Sequence, residues 1–358
     1  MTTTNATPST DGTAAATTQN KSKRILYLDL LTILCCFAVI TLHCNSYVYS
    51  NNFDVAWVRS LAAEVLFFFA VPCFFMMTGA NNMEYRRKYT TGQFLKRRLK
   101  KLLLPFVAWS LFVYLYHNGQ IASPLGFLQA FMANEILSIY WFFPAIISLT
   151  LAMPVLSLLA KHEEGVRYLC IVSFIFIAVI PPVCKMLQIP WSEAFTLPVA
   201  TYVVMYAMIG YYLSKHNLQK KTRIIIYLAA LFSLALRFFF TYFNSTTAGT
   251  LDNTLFSYAY FIGVLPAMAV FLLFKNHNWE NSFFARHTNA VVPVSSCAFG
   301  MYLLHMLLLQ DVVLSAAVLG WSAASLRVQI ACPFLIFLSS LAIIFIMKKI
   351  PLLKGLVP

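Results

Sequence analysis

The chain has 358 residues, of which 60% are hydrophobic and only 11% charged, with a mean hydropathy of +0.73. A water-soluble domain carries about 25% charged residues, so this composition excludes one. The formal net charge of +14 does not point to nucleic acid, because the cations gather in short segments between apolar runs.

Residues 1–20 are mostly Thr, Ala, Asn and Ser. They hold too little apolar surface to order themselves and lack the apolar centre of a secretory signal. Residues 1–23 therefore read as a disordered cytoplasmic tail, and 24–358 as one membrane-embedded domain. Ten spanning helices are predicted, over 25–46, 57–79, 102–117, 139–160, 167–184, 196–214, 222–243, 254–274, 292–312 and 326–347. Runs of this length cross about 30 Å of hydrocarbon as helices, which satisfy their own backbone hydrogen bonds in lipid. The strict alternation of a membrane barrel is missing from the sequence. The expected fold is all-α, a polytopic helical bundle.

Orientation follows from the cations. With both termini cytoplasmic, 22 of the 26 Lys and Arg fall on the inner side, leaving Arg59, Lys185, Arg237 and Arg327 on or near the outer side. The reverse orientation violates the positive-inside rule. The expected location is the plasma membrane. Six of the eight cysteines, Cys35, Cys36, Cys73, Cys170, Cys297 and Cys332, lie inside apolar runs, and no C-x-x-C pair occurs. They read as small buried hydrophobes rather than disulfides or metal ligands. No internal repeat of the transporter kind is visible.

Polar groups inside a membrane are costly and mark functional candidates. Here they are Asp29, His43, Glu64, Arg237, His305 and Asp311. On the first span Asp29, Thr32, Cys36 and His43 fall within roughly 60° of one another, making a polar stripe. His43 lies 14 residues beyond Asp29, about 21 Å along the helix. Asp29 therefore cannot orient His43 as a triad carboxylate, and His43 belongs to the outer half of the membrane. The segment EYRRKYTTGQFLKRRLKKLLLPF reads as a cytoplasmic loop, 84–101, leading into the third span. Its cations serve as a topology anchor. Arg98 and Lys101, three apart, share a helix face and are also suited to phosphates. On the ninth span Tyr302 and His305 share a face, and His305 reaches a depth similar to that of His43. Two histidines at one depth on different helices make a candidate polar cavity.

Four segments resemble the acyltransferase 3 family of bacterial membrane acyltransferases. YLDLLTILCCFAVITLH is similar to that family's opening helix, with Asp29 and His43 at its separation. AVPCFFMMTGA at 70–80 is similar to its second helix, FLKRRLKKLLLP at 94–105 to the approach to its third, and FGMYLLH at 299–305 to its late Tyr-x-x-His motif. YWFFPAIISLTLAMP and MYAMIGYYLS add weaker likeness. The resemblance runs from Arg24 to the end. It implies that His43 is the essential histidine of acyl transfer. It also implies that Arg98, with Lys101 and Arg97, helps hold the acyl-CoA donor, and that Tyr302 and His305 line the central cavity. One position departs from the family pattern: Thr32 stands where Arg is usual, eleven residues before the histidine. Arg237 is a candidate to compensate, with Asp29, Thr32 and Glu64 as further cavity residues.

The resemblance thus implies an O-acetyltransferase type of enzyme. Acyl-CoA is a cytoplasmic donor, acetyl by family habit and succinyl as the alternative, and no cofactor is permanently bound. A glycan or lipid-linked sugar would be the acceptor, with membrane lipids as the surrounding partner. An imidazole titrating near pH 6.5 serves either as general base or as transient acyl carrier. The competing readings are a transporter or flippase of a lipid-linked glycan, which would have a similar polar cavity, and a sensor or scaffold.

Overall fold

The computed structural model describes residues 25–119, 123–318 and 322–358; the predicted tail, 1–23, lies outside them. The described chain is a helical bundle. α1 (Leu26–Cys44) ends where the Asn45 side chain donates to the Thr41 carbonyl at 2.9 Å. A 3-10 turn, Ser46–Tyr49, leads to α2 (Val55–Phe67), which is capped by Asp54 accepting from the Trp57 amide at 2.8 Å. α3 (Ala70–Asn82) follows after two residues.

The single predicted helix over 57–79 is therefore broken. Pro72 explains the break, since it has no N–H to offer the Phe68 carbonyl and its ring crowds that carbonyl.

α4 (Thr91–Asn118) begins eleven residues before the predicted third span. Thr90 and Gln93 form a reciprocal capping box, with bonds of 3.3 and 3.1 Å. That box, followed by Lys, Arg and Leu, which favour helix, extends the helix through residues expected to be loop. The cations 96–101 thus ride on its first turns. Gly119, at φ 71°, closes it, a left-handed conformation that suits glycine.

α5 (Pro124–Met132) is short. α6 (Phe142–Leu159) follows a 3-10 turn, Ser138–Trp141. α7 (Glu163–Ser173) runs through a π-helical stretch, Phe174–Val179, into α8 (Ile180–Met186), where Pro181 and Pro182 disturb the regular ladder. The rest of the bundle is α9 (Tyr202–Lys215), α10 (Lys220–Ala248), α11 (Phe261–Asn276), α12 (Phe283–Arg286), α13 (Thr288–Val318) and α14 (Leu326–Lys349).

Eight helical stretches among the described residues are long and apolar enough to cross a membrane, α2 and α3 together counting as one and α7 with α8 as another. The predicted spans 196–214 and 254–274 correspond to the shorter α9 and α11. α9 starts late because Thr201 caps it, accepting from the Val204 amide at 3.4 Å. Ahead of α11, residues 249–260 form an ordered connection rather than helix. Asn244 donates to Asp252 at 3.1 Å, and Ser245 accepts from the Asp252 amide at 2.9 Å.

α9 lies at the heart of the bundle, buried from Met205 to Tyr211. Its contact with α3 is backbone to backbone. A Cβ on Gly79 would overlap the Ala207 carbonyl, and one on Gly210 would overlap Met76. Small residues let membrane helices approach this closely, gaining dispersion contact. α1 is clasped by α3, α13 and α14, while α10 and α14 turn apolar faces such as Leu228, Leu231, Leu335 and Leu338 outward.

Polar ties cross the bundle. Ser295 of α13 donates to Asp29 at 2.5 Å. Gln329 of α14 accepts from Arg59 and donates to Ser60 of α2, each at 2.9 Å. At the end of α9, Lys275 donates to the Leu213 and His216 carbonyls at 2.7 Å, which caps the helix with a cation.

Candidate active site

α1 carries His43 in its last turn, and α13 carries His305 past its midpoint. The rings are neighbours, with centroids 5.3 Å apart. His305 is fully buried. Its Nδ1 lies 2.7 Å from the Tyr302 carbonyl and 3.2 Å from that of Met301. The Tyr302 hydroxyl donates to the Ile139 carbonyl, which leaves its ring to form wall.

His43 opens onto a cavity of about 390 Å³. Its walls come from the end of α1 with the 3-10 turn behind it, α2 and the start of α3, the 3-10 turn before α6 with the first residue of α6, the 249–260 connection, and α13. Glu64, Trp141, Asn253, Tyr258 and Tyr302 are among the side chains that line it. Phe68 stacks on Tyr258 at 4.2 Å and Trp141 stacks on the same ring at 5.7 Å. The result is a flat aromatic wall facing a few polar groups, the composition of a small-molecule site.

Behind that wall lies an ion pair. Arg237 of α10, fully buried, reaches Glu64 with Nη2 at 3.1 Å and donates through Nη1 to the Glu64 carbonyl at 3.3 Å. Its guanidinium lies between the faces of Phe68, at 3.8 Å, and Phe256, at 4.7 Å. Stacking on two rings and a carboxylate partner offset the desolvation that an isolated cation would suffer here. Glu64 lines the cavity while the arginine does not.

Two of the predicted cavity residues on α1 are not among the side chains that line this cavity. Asp29 is buried and engaged by Ser295. Thr32 donates to the Leu28 carbonyl at 2.7 Å and touches the Met77 sulfur at 3.5 Å. Both sit deeper along α1 and tie it to α13 and α3. Arg237, named as a candidate to compensate for Thr32, is paired with Glu64.

The cationic residues lie apart from the histidines, at the start of α4. Arg98 is exposed, and its guanidinium donates to Asn82 at the end of α3. Arg97 stacks over Tyr89 at 4.7 Å, and Lys101 is exposed. Arg86, expected only as a topology anchor, donates to Ser157 at 2.8 Å and to the Pro154 carbonyl at 3.2 Å. It fastens this rim to α6.

Sequence reasoning missed Trp141, Asn253, Phe256 and Tyr258. Trp141 stands in the YWFFP segment, where an aromatic run preceding a helix proline was a usable signal. The 249–260 residues carry no periodicity, because they form a loop folded over the cavity.

The fold and this site define a class, that of polytopic helical membrane proteins with two neighbouring histidines, one of them lining an aromatic-walled cavity. The chain belongs to the acyltransferase 3 family: the model of that family, an acyltransferase domain, matches residues 25–349. No curated protein and no solved structure matched the chain.

Proposed function

We propose that the protein transfers an acyl group, acetyl in the expected case, from cytoplasmic acyl-CoA to a hydroxyl of a cell-surface or lipid-linked glycan. His43 is the group in contact with the reacting atoms. The observation that carries the reading is the placement of His43 on a walled cavity in a chain of the acyltransferase 3 family. In this reading α9 and α11 cross the membrane as well, giving ten crossings, with both termini cytoplasmic and the protein in the plasma membrane.

The donor binds from the inner side. Arg98, Lys101 and Arg97 offer charge to its phosphates, and the thioester travels outward along α1, about 21 Å from the level of Asp29 to that of His43. The acceptor lies against the aromatic wall of Trp141 and Tyr258. His43 then takes the proton of the acceptor hydroxyl. The oxygen attacks the thioester carbonyl, a C–O bond forms and the C–S bond breaks, and the thiol leaves with the proton returned by the imidazolium. In the second route the imidazole nitrogen attacks first, forming a C–N bond as the C–S bond breaks. The acceptor oxygen then attacks the acyl carbon, a C–O bond forms as the C–N bond breaks, and the hydroxyl proton goes to the thiolate released in the first step. Either route needs an unprotonated ring nitrogen facing the cavity.

The test uses membranes containing the full chain and radiolabelled acetyl-CoA. Label is expected on glycan with the wild type. His43→Ala is expected to lower transfer by at least about 10²-fold, within the range of general-base loss, while the protein remains folded in the membrane. Undiminished transfer by His43→Ala overturns the assignment. No label from the wild type, together with loss of surface glycan in its absence, would point instead to a flippase.

A further inference from the structure

Something must hold the His43 ring in one tautomer if one of its nitrogens is to face the acceptor bare. Asp29 is too far away along the helix and already receives Ser295. Glu64 lines the cavity but answers to Arg237. Next to His43 stands His305.

The state of His305 follows from its partners. Its Nδ1 lies within bonding distance of two backbone carbonyls. Carbonyl oxygens only accept, so Nδ1 carries a proton. In the neutral ring Nε2 is then a bare acceptor. That atom is buried and has no hydrogen-bond partner, and the ring beside it is His43, 5.3 Å away centroid to centroid. A fully buried nitrogen without a partner is rare in folded proteins and calls for an explanation.

We propose that His305 is a positioning residue that sets the tautomer of His43. A small rotation of the His43 ring brings its N–H onto His305 Nε2. The proton of His43 is then held on the His305 side, and its other nitrogen presents a lone pair to the cavity. The chain of hydrogen bonds runs from the helix backbone at Tyr302 through His305 to His43. It plays the part that a carboxylate plays in other base–orienter pairs, with no charge placed in the bundle. The uncharged arrangement suits a site among apolar helices, where a carboxylate in that position would need its own cation. Position 302 supplies the carbonyl that fixes the proton on Nδ1, and its ring, 5.8 Å from that of His305, forms cavity wall.

The consequence for transfer rests on the function proposed above, whereas the tautomer does not. The experiment therefore has two arms. In the first, solid-state nitrogen NMR of the full chain with labelled histidine in lipid vesicles reads both rings, assigned by loss of signal in His43→Gln and His305→Gln. The wild type is expected to show His305 protonated on Nδ1 and bare on Nε2, with His43 in a single tautomer. His305→Leu, which removes the acceptor at similar volume, is expected to give His43 as a mixture. His305→Gln, which returns an acceptor oxygen, is expected to restore the single form.

In the second arm, transfer of label from acetyl-CoA is measured in membranes. His305→Leu is expected to lower kcat about 10²-fold, with KM for acetyl-CoA changed less than two-fold. His305→Gln is expected to recover at least a tenth of the wild-type rate. A purely structural role would move neither the tautomer nor the Leu–Gln contrast. A wild-type His305 protonated on Nε2, or a His43 tautomer unchanged in His305→Leu, overturns the proposal. If His305→Leu does not fold, the wild-type spectrum alone decides. Absence of transfer by the wild type, alongside the expected spectrum, would sink the enzyme reading and leave the histidine pair standing.

Discussion

Two halves of the bundle, one around the α3–α9 contact and one around the cavity, are built on opposite principles. Around α3 and α9 two helix backbones touch with no side chain between them, at Gly79 and Gly210. Beyond the break at Phe68 and Phe69, α2 borders a cavity of about 390 Å³ lined by a carboxylate, a histidine and stacked aromatic rings. One segment of chain serves both. α3 carries the dry seam and α2 the cavity wall, and Pro72 divides them. A wall that must leave space open gains little dispersion energy of its own. If the seam supplies the rigidity that keeps it open, breaking the seam should cost the cavity as well.

The largest expected effect comes from closing the seam's tolerance. Gly79→Leu or Gly210→Leu would drive a side chain into the Ala207 or Met76 backbone, and backbone cannot move aside as a flexible side chain can. Neither variant is expected to yield folded protein in the membrane, as read by monodisperse recovery in mild detergent. Gly92→Leu, at an open position on α4, is expected to fold. If both seam variants fold and transfer acyl groups normally, the two halves are not mechanically linked.

The next effect sharpens the comparison from the cavity side. Arg237→Ala strands the Glu64 carboxylate in a buried site, and breaking such a pair costs about 3–5 kcal/mol. The expected readout is a lowered unfolding midpoint in detergent. Glu64→Leu combined with Arg237→Leu removes both charges and is expected to regain most of that stability while losing acceptor turnover. Activity retained by the double variant would make the pair a fastening alone, without a part in the cavity's chemistry.

How much of this was visible in the chain differs residue by residue. The helices were legible because lipid leaves no other solution for runs this apolar. Helix arithmetic placed His43 and His305 at similar depth, and they are neighbours. The break at Phe68 was legible in principle from Pro72, since a proline in a long apolar run marks a kink. Thr78-Gly79 stood out as part of a family-like segment, yet its purpose depends on Ala207 and Gly210 on a distant helix. Glu64 and Arg237 were visible singly as membrane-buried charges, but their pairing joins residues 173 apart, which no local pattern reveals. Asp29 and Thr32, engaged by Ser295 and by the Leu28 carbonyl, show the same limit. A shared helix face shows which way side chains point, not which neighbour receives them.

The smallest expected effect lies at the cationic rim, where charge meets water. Arg98→Ala removes a guanidinium anchored by Asn82, and Lys101→Ala removes an exposed ammonium one turn further on. Contacts of exposed cations to phosphate are screened by salt and bear entropy losses, so each is worth about 1 kcal/mol. That corresponds to a rise of about five-fold in KM for acetyl-CoA, with kcat unchanged, since the rim lies apart from the histidines. Arg98 should exceed Lys101, because Asn82 preorganises its planar fork and less freedom remains to be lost on binding. Asn82→Ala should therefore raise KM in the same direction with the cation still present, a result that a topology anchor does not produce. Unchanged KM in all three variants, measured at low salt where such contacts are strongest, would reduce this rim to a determinant of orientation and remove it from the proposed donor site.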